Sequence, residues 1–173
     1  LGAIVYICQL GTEGGNAVAD ILSGDVSPSG KLADTWAKRY EDVPFAMEYG
    51  SLNGDLQNEN YHEGIFVGYR WFDSFGILPR YPFGFGLSYT VFEIESTDFV
   101  CDGQSARLSV KVTNTGAVAG KEIIQIYCDA PAGKTSTAKR VLCGFNKTPL
   151  LSPGESCVTD FEIPLYSVSS YDD

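Results

Sequence analysis

The hydrophobic pattern changes its period near Thr90, and this change divides the chain into two parts. After Thr90, apolar and polar residues alternate in short runs separated by turn sequences such as Asn114-Thr115-Gly116 and Ser152-Pro153-Gly154. This alternation with regularly spaced turns is typical of antiparallel strands packed as a β-sandwich. The pattern predicts five strands, at residues 91–100, 106–113, 122–129, 140–146 and 157–163.

The number of predicted strands is smaller than a complete sandwich requires. Sandwiches of the immunoglobulin and fibronectin type III kind have about seven strands, and only five are predicted before the sequence ends at Asp173. We therefore expect residues 90–173 to form an all-β, immunoglobulin/fibronectin type III-like sandwich that is incomplete. The edges of an incomplete sheet carry unpaired N–H and C=O groups, so self-association through these edges is also expected.

The first part of the chain begins with an apolar run rather than with an alternating pattern. Residues 3–10 are almost continuously apolar, which is typical of a strand buried on both faces of a parallel sheet. A helix is predicted to follow, with Thr12 as its N-terminal cap and Gly24 as its C-terminal stop. A long irregular segment rich in Gly, Pro, Asn and aromatic residues comes next. Residues 1–89 therefore read as an α/β fragment whose parallel strand needs neighbours that this sequence does not supply.

The charge balance excludes several classes of function. The chain has 22 Asp and Glu against 12 Lys and Arg, a formal net charge of −10 at pH 7. Nucleic acids and anionic membrane surfaces attract clustered positive charge, so neither is expected as a partner. No apolar run approaches the roughly 18 residues of a membrane-spanning helix. A neutral substrate remains compatible with this composition.

The cysteines and the single histidine do not form a metal-binding pattern. His62 has no cysteine pair near it, and no CxxC spacing occurs, so we expect no metal and no other cofactor. We expect reduced thiols, with a disulfide between two of the last four cysteines as the alternative. Reduced thiols favour a cytoplasmic location, and a secreted parent protein with an upstream signal is the alternative. The five cysteines are Cys8, Cys101, Cys128, Cys143 and Cys157.

Paired carboxylates would be the clearest catalytic signal, because glycosidases use an acid and a nucleophile of this type. The sequence brings no two candidates together, and 22 acidic residues make chance pairs unavoidable. We therefore expect solvated or structural carboxylates and assign no catalytic, substrate-binding or metal-binding residue. No Ser-His-Asp set, GxSxG or nucleotide-binding glycine pattern is present. The candidate carboxylates are Glu13, Asp34, Asp55, Glu59, Glu63 and Asp73.

Aromatic residues are concentrated between positions 61 and 85. Because aromatic side chains bury large apolar areas, we expect most of them in the core and about one or two at a surface, where they could stack on sugar rings. We expect Arg70 to stack on an aromatic neighbour or to pair with Asp73. Gly30 and Gly64 are expected to take backbone conformations that require glycine. The aromatic residues are Tyr61, Phe66, Tyr69, Trp71, Phe72, Phe75, Tyr81, Phe83 and Phe85.

Three segments of the sequence resemble glycoside hydrolase family 3. They are GTEGGNAVADILSGDVSPSGKLADTW at 11–36, YHEGIFVGYRWFD at 61–73 and YPFGFGLSYTVF at 81–92. Their order and spacing are similar to the end of the family's α/β-sandwich domain and the fibronectin type III-like domain that follows it. The resemblance implies that residues 1–89 are the C-terminal part of the α/β-sandwich domain with a linker, and that residues 90–173 are the fibronectin type III-like domain.

The resemblance also implies a retaining β-glucosidase-like enzyme, with an Asp nucleophile on a (β/α)8 barrel and a Glu acid/base on the α/β-sandwich domain. The barrel is not in this sequence, and the family's acid/base lies upstream of Gly11. Glu63 stands in a different motif, so no catalytic residue is carried over. The expected role is a non-catalytic scaffold. Its partners would be the barrel and the rest of the α/β-sandwich domain, and the parent enzyme would act on a neutral oligosaccharide or aryl glycoside.

Two other functions stay open. One is a stand-alone β-sandwich module for binding or adhesion, which the N-terminal βα pattern disfavours because such a module has no use for it. The other keeps the enzyme and changes the sugar, to a β-xyloside or an α-arabinoside. Whether the barrel precedes or follows this segment also stays open.

Overall fold

The computed structural model describes residues 2–50, 54–129 and 136–169, and its regular structure is mostly β-sheet with few helices. Each predicted strand is confirmed, with both ends within one residue of the prediction. Residues 170–173 of the predicted sandwich lie outside the described residues. The strands are β1 (Phe92–Cys101), β2 (Ser105–Asn114), β3 (Ile123–Cys128), β4 (Val141–Lys147) and β5 (Ser156–Pro164).

The strands form two antiparallel sheets that share one hydrophobic core. The first sheet has the order β1-β2-β5, and the second pairs β3 with β4. Alternate residues of a strand point to the same face, so β2 contributes Val110 and Val112 to the core, where Ile124 of β3 and Leu151 meet them. Burying one such side chain stabilises the fold by about 1.5–3 kcal/mol. The partly buried residues packed around this cluster are Phe92, Leu108, Ile126, Cys157 and Phe161.

Asn114, in the predicted turn sequence at the end of β2, is fully buried. Its Oδ1 accepts hydrogen bonds from Thr90 Oγ1 at 2.6 Å and from the backbone N–H of Gly116 at 3.1 Å. Its Nδ2 donates to the carbonyl oxygens of Val118 at 2.8 Å and Leu151 at 2.9 Å. A buried amide is tolerated only when its hydrogen bonds are satisfied. Asn114 therefore ties β2 to the loops on either side of the second sheet.

The strand predicted at residues 3–10 does not form, and that prediction is wrong for this chain. The structure assigns no regular element to residues 2–10. A parallel strand requires hydrogen-bonding neighbours, and the described residues provide none for this segment. Its apolar side chains lie open instead, with Ile4 59% exposed and Val5 49% exposed. Tyr6 makes the main ring contact, edge-on to Trp36 with 5.2 Å between ring centres.

Among the residues described in the first part of the chain, two α-helices occur, α1 at Gly14–Ser23 and α2 at Tyr69–Ser74. Helix α1 ends as predicted at Gly24, whose φ of 88° is left-handed and whose N–H donates to Ile21 O. The predicted cap at Thr12 is wrong, because the cap position is Glu13 and no side chain caps this end. One-turn 3₁₀ helices occur at Tyr40–Asp42 and Leu165–Val168.

The irregular segment is held together by backbone pairing between residues 32–36 and 80–85. The N–H of Leu32 donates to Phe85 O, and the N–H of Trp36 donates to Tyr81 O, both at 2.8 Å. The rings of Trp36 and Tyr81 lie 5.8 Å apart, and those of Tyr81 and Phe85 lie 5.0 Å apart. Aromatic contacts thus take the place of a regular sheet in this region.

Of the nine aromatic residues between positions 61 and 85, Phe72 is buried, six are half-buried and two are exposed, so the predicted core role holds for Phe72 and the half-buried rings pack against one another. Phe72 is 4% exposed, whereas Tyr61 and Phe75 are 78% and 53% exposed. These two therefore correspond to the surface aromatics that the sequence predicts. Phe75 still packs on Trp71, with 4.3 Å between the ring centres.

Gly86 is expected to tolerate no larger residue, because it lies against the backbone of Gly30. A Cβ at position 86 would lie 2.1 Å from the carbonyl oxygen of Gly30 and 3.0 Å from Lys31 Cδ. We expect Gly86→Ala to lower the free energy of unfolding by about 2–3 kcal/mol, since the backbone must move to make room. Urea unfolding followed by fluorescence measures this change.

Gly30→Ala provides the matched control. A Cβ there meets no heavy atom within 4 Å and φ is not left-handed, so the expectation that Gly30 requires glycine is wrong. Gly64, with φ of 55°, does take the left-handed conformation. Equal destabilisation by Gly86→Ala and Gly30→Ala would contradict the close approach at position 86.

Candidate functional site

Side chains of helix α2 contact β3 and the residues at the start of β4, a region we call the seam. It consists of Tyr69, Asp73 and Ser74 with Tyr127 and residues 139–142. The guanidinium group of Arg140 binds Asp73 through both nitrogens, with Nε 2.7 Å from Oδ2 and Nη2 3.0 Å from Oδ1. The same guanidinium lies 5.3 Å from the ring centre of Tyr127. Two parallel hydrogen bonds fix both distance and orientation, so this pair sets the angle of α2 against the second sheet.

Two further hydrogen bonds attach α2 to the start of β4. The hydroxyl of Tyr69 accepts the N–H of Leu142 at 2.8 Å, and Ser74 Oγ accepts the N–H of Lys139 at 3.0 Å. The ring of Tyr69 lies 5.9 Å from that of Tyr127. Side chains of the first part thus satisfy backbone donors that an edge strand would otherwise leave to solvent.

The sequence leaves two arrangements open for Arg70, stacking on an aromatic neighbour or pairing with Asp73, and the structure shows the stacking arrangement. Asp73 binds Arg140, which is 67 residues away. The guanidinium of Arg70 lies 6.0 Å from the ring centre of Tyr69. The partner of Asp73 could not be predicted from its sequence neighbours, because the contact joins distant segments.

A second ion pair joins the two parts beside the seam. Lys31 Nζ lies 2.8 Å from Glu122 Oε1, and the two side chains are 16% and 13% exposed. The same ammonium group donates to the carbonyl oxygen of Gly86 at 3.0 Å. Removing one partner of such a shielded pair leaves an uncompensated charge. The sequence held no signal for this pair beyond the presence of both residues.

The electrostatics of the seam suit a structural role. Burial, with the nearby Tyr69, raises the pKa of Tyr127 above its ordinary value. The hydrogen bond from Arg140 to Asp73 raises the pKa of the guanidinium. Both groups therefore keep one protonation state through the neutral range. Tyr127 and Arg140 therefore hold two segments together and are not suited to proton exchange near pH 7.

The candidate carboxylates are engaged by different neighbours in different places. Glu13 accepts from Asn16 Nδ2 at 2.6 Å, and Glu59 accepts from the N–H of Gly50 at 3.1 Å. Asp34 is exposed and Glu63 is half-buried. No catalytic role follows from these contacts, which are of the kind that hold turns and loops.

Asp55 shows why hydrogen-bonded carboxylates of this kind do not resemble a general acid. The side chain of Asn58, with the backbone N–H groups of Gln57 and Asn58, lowers the pKa of Asp55. Hydrogen bonds to the charged form stabilise it, whereas a glycosidase acid needs a raised pKa. Asp55 is thus a turn-forming carboxylate.

The metal and thiol candidates are also placed by the structure. His62 Nε2 lies 3.6 Å from Glu48 Oε2, and no group of three or more His, Cys, Asp or Glu among the described residues could hold a metal ion. All five cysteines are free, with Cys8 and Cys101 exposed. Burial raises the pKa of the Cys143 thiol.

In the described ranges, no helix is long and apolar enough to cross a membrane.

Comparison with known protein families identifies the domain to which residues 1–89 belong. The family model for the glycosyl hydrolase family 3 C-terminal domain matches residues 1–89, just over half of the chain. The chain belongs to glycosyl hydrolase family 3. The model for a fibronectin type III-like domain matches residues 122–173. The resemblance found in the sequence is therefore confirmed.

Relatives within glycosyl hydrolase family 3 match nearly the whole chain. A β-glucosidase of Ruminococcus albus is 44% identical over 172 residues, which are 99% of this chain and 18% of that protein. β-Glucosidase A of Butyrivibrio fibrisolvens is 41% identical, over 100% of this chain and 23% of that protein. The chain thus spans about a fifth of the length of these curated relatives.

A solved member of glycosyl hydrolase family 3 has the same backbone arrangement. The structure of β-glucosidase 3B from Thermotoga neapolitana in complex with glycerol superposes with a TM-score of 0.88 at 44% identity. The match covers 94% of this chain and 23% of the Thermotoga chain. The superposition therefore includes the two sheets, the irregular segment and the seam.

Proposed function

We propose that this chain is the non-catalytic scaffold portion of a retaining β-glucosidase-like enzyme, one that hydrolyses the O-glycosidic bonds of neutral β-glycosides. The observation that carries the proposal is the extent of the match, 99% of this chain against 18% of a β-glucosidase. The seam supports it, because its ion pairs and ring contacts fix an orientation and supply no acid/base pair. A separate adhesion module would not need such a junction.

The domain division proposed for this enzyme places the boundary at residue 89. Residues 1–89 would be the C-terminal part of the α/β-sandwich domain with its linker, and 90–173 would belong to a fibronectin type III-like sandwich. The matches to residues 1–89 and 122–173 support this division. So do the two sheets that share a core, since that is the arrangement of a sandwich.

The partners we propose are the barrel and the remainder of the α/β-sandwich domain. The accessible surface of the chain is 11895 Å², whereas a folded monomer of this mass exposes about 8,300 Å². Part of the excess is apolar and lies in residues 2–10, where Tyr6 and Ile7 are 54% and 44% exposed. A surface of this kind fits a large covering partner.

The free thiols support a cytoplasmic location for the assembled enzyme.

The experiment that tests the proposed activity uses the longer protein that contains this chain. It should release the aryl group from aryl β-glucosides, and proton NMR should show the β-anomer of the sugar first, as retention requires. Faster turnover of aryl β-xylosides or α-arabinosides would assign the alternative sugar. Absence of any glycosidase activity, together with saturable binding of a sugar polymer, would support the adhesion module instead.

A variant of the same longer protein tests the scaffold role of this portion. Glu63→Gln should leave kcat within a few-fold of the parent value, because Glu63 is not expected to transfer a proton. A loss of about 10²-fold or more is the size of effect that a general acid/base gives, and it would place catalysis within this chain. Glu59→Gln is the matched control, since Glu59 is bound to a backbone N–H nearby in the same segment.

A further inference from the structure

The hydroxyl oxygen of Thr35 is a buried polar atom beside the seam. Its oxygen is shielded from solvent and makes no hydrogen bond to any of the described residues. Thr35 lines a cavity of about 10 Å³ together with Tyr69, Asp73, Tyr127 and Arg140. A cavity needs roughly 10–15 Å³ to hold a water molecule, so this space is about the size that one water requires.

The other polar groups that line the cavity have hydrogen-bonding capacity to spare. A carboxylate offers about four acceptor positions, and Arg140 occupies two of those on Asp73. A guanidinium has about five N–H donors, of which Arg140 uses two on that carboxylate. The Tyr127 hydroxyl donates to Gln125 at 3.2 Å, so its oxygen can still accept. Buried waters typically make about three hydrogen bonds, which these groups and Thr35 can provide.

We infer that one structural water is bound in this cavity, hydrogen-bonded to Thr35 Oγ1 and to the Asp73–Arg140 pair. The water completes a polar link between three segments distant in sequence. These are the paired segment 32–36, helix α2 and the start of β4. The link adds to the orientation that the ion pair already sets, because all three segments must keep their positions for the water to keep its partners.

The sign of a stability change distinguishes a hydrated cavity from a dry one. Thr35→Val replaces the hydroxyl by a methyl group of similar volume. If the water is present, the variant loses a hydrogen bond, and its unfolding equilibrium constant should rise about three- to tenfold. If the cavity is dry, the same change removes an unsatisfied hydroxyl, and the variant should be more stable than the parent chain. The parent chain and the variant are unfolded in urea at the same protein concentration, so that self-association affects both equally.

A crystal structure of the chain at a resolution that shows ordered solvent provides the direct measurement. We expect density for one water within hydrogen-bonding distance of Thr35 Oγ1, retained in Thr35→Ser and lost in Thr35→Val. An empty cavity, a direct bond from Thr35 Oγ1 to a protein atom, or a more stable Thr35→Val would each overturn the inference. None of these outcomes depends on which glycoside the longer protein hydrolyses.

Discussion

Replacing Asn114 by alanine should lower the free energy of unfolding by about 4 kcal/mol. The change removes hydrogen bonds to Thr90, Gly116, Val118 and Leu151 at once. It also takes away the acceptor of the buried Thr90 hydroxyl, and a buried group left unsatisfied costs about 1–3 kcal/mol. The carbonyl oxygen of Leu151 keeps the N–H of Gly120 as a donor. Urea unfolding followed by circular dichroism measures the loss.

Asn146→Ala is the control for this prediction. Asn146 is exposed near the end of β4, and within the described residues its side chain accepts one hydrogen bond, from the N–H of Lys147. Surface changes of this kind alter stability by about 0.5 kcal/mol or less. If both variants lost the same small amount, the network around Asn114 would not be a main support of the β-sheets.

The isolated chain should self-associate, because its exposed apolar surface is too large for a stable monomer. Residues 2–10 hold five large apolar side chains that are each at least 44% exposed, namely Ile4, Val5, Tyr6, Ile7 and Leu10. Leaving about 500 Å² of such surface in water costs about 12 kcal/mol. That is comparable to the whole stability of a typical domain. Light scattering with intact-mass measurement shows whether copies cover this surface for one another.

Charged substitutions locate the surface responsible for this association. Val5 and Ile7 should both lie in the contact, since the neighbouring Tyr6 already packs on Trp36. Val5→Asp with Ile7→Asp should shift the population towards monomer, whereas Val158→Asp should not, although Val158 is 60% exposed on β5. A monodisperse parent chain of 18.7 kDa would mean that the apolar segment covers itself.

The β-sheets could be predicted from the sequence because their signal is local. Alternation over six to ten residues defines each strand, and turn sequences containing Gly103, Gly116 and Gly154 separate several of them. An equally strong apolar pattern predicts a strand at residues 3–10, yet no strand forms there. A strand depends on its neighbours as well as on its own residues, and the pattern of one strand carries no information about whether neighbours are present.

The seam could not be predicted, since its contacts join residues far apart in the chain. Arg140 and Asp73 are separated by 67 residues, and nothing in the sequence around either residue indicates that the other is its partner. The same holds for Lys31 and Glu122. The family resemblance pointed to the motifs at 61–73 and 81–92, but it did not show that their aromatic side chains and Asp73 serve to hold the second sheet.

Assay of the isolated chain for aryl β-glucoside hydrolysis tests most directly whether this portion of the enzyme is a scaffold. The longer protein is the positive control, and Glu63→Gln of the isolated chain is the variant. The scaffold role predicts no release of the aryl group above the enzyme-free blank, even at high protein concentration, while the longer protein turns over the same substrate. Enzyme-dependent turnover by the isolated chain that disappears in Glu63→Gln would contradict it.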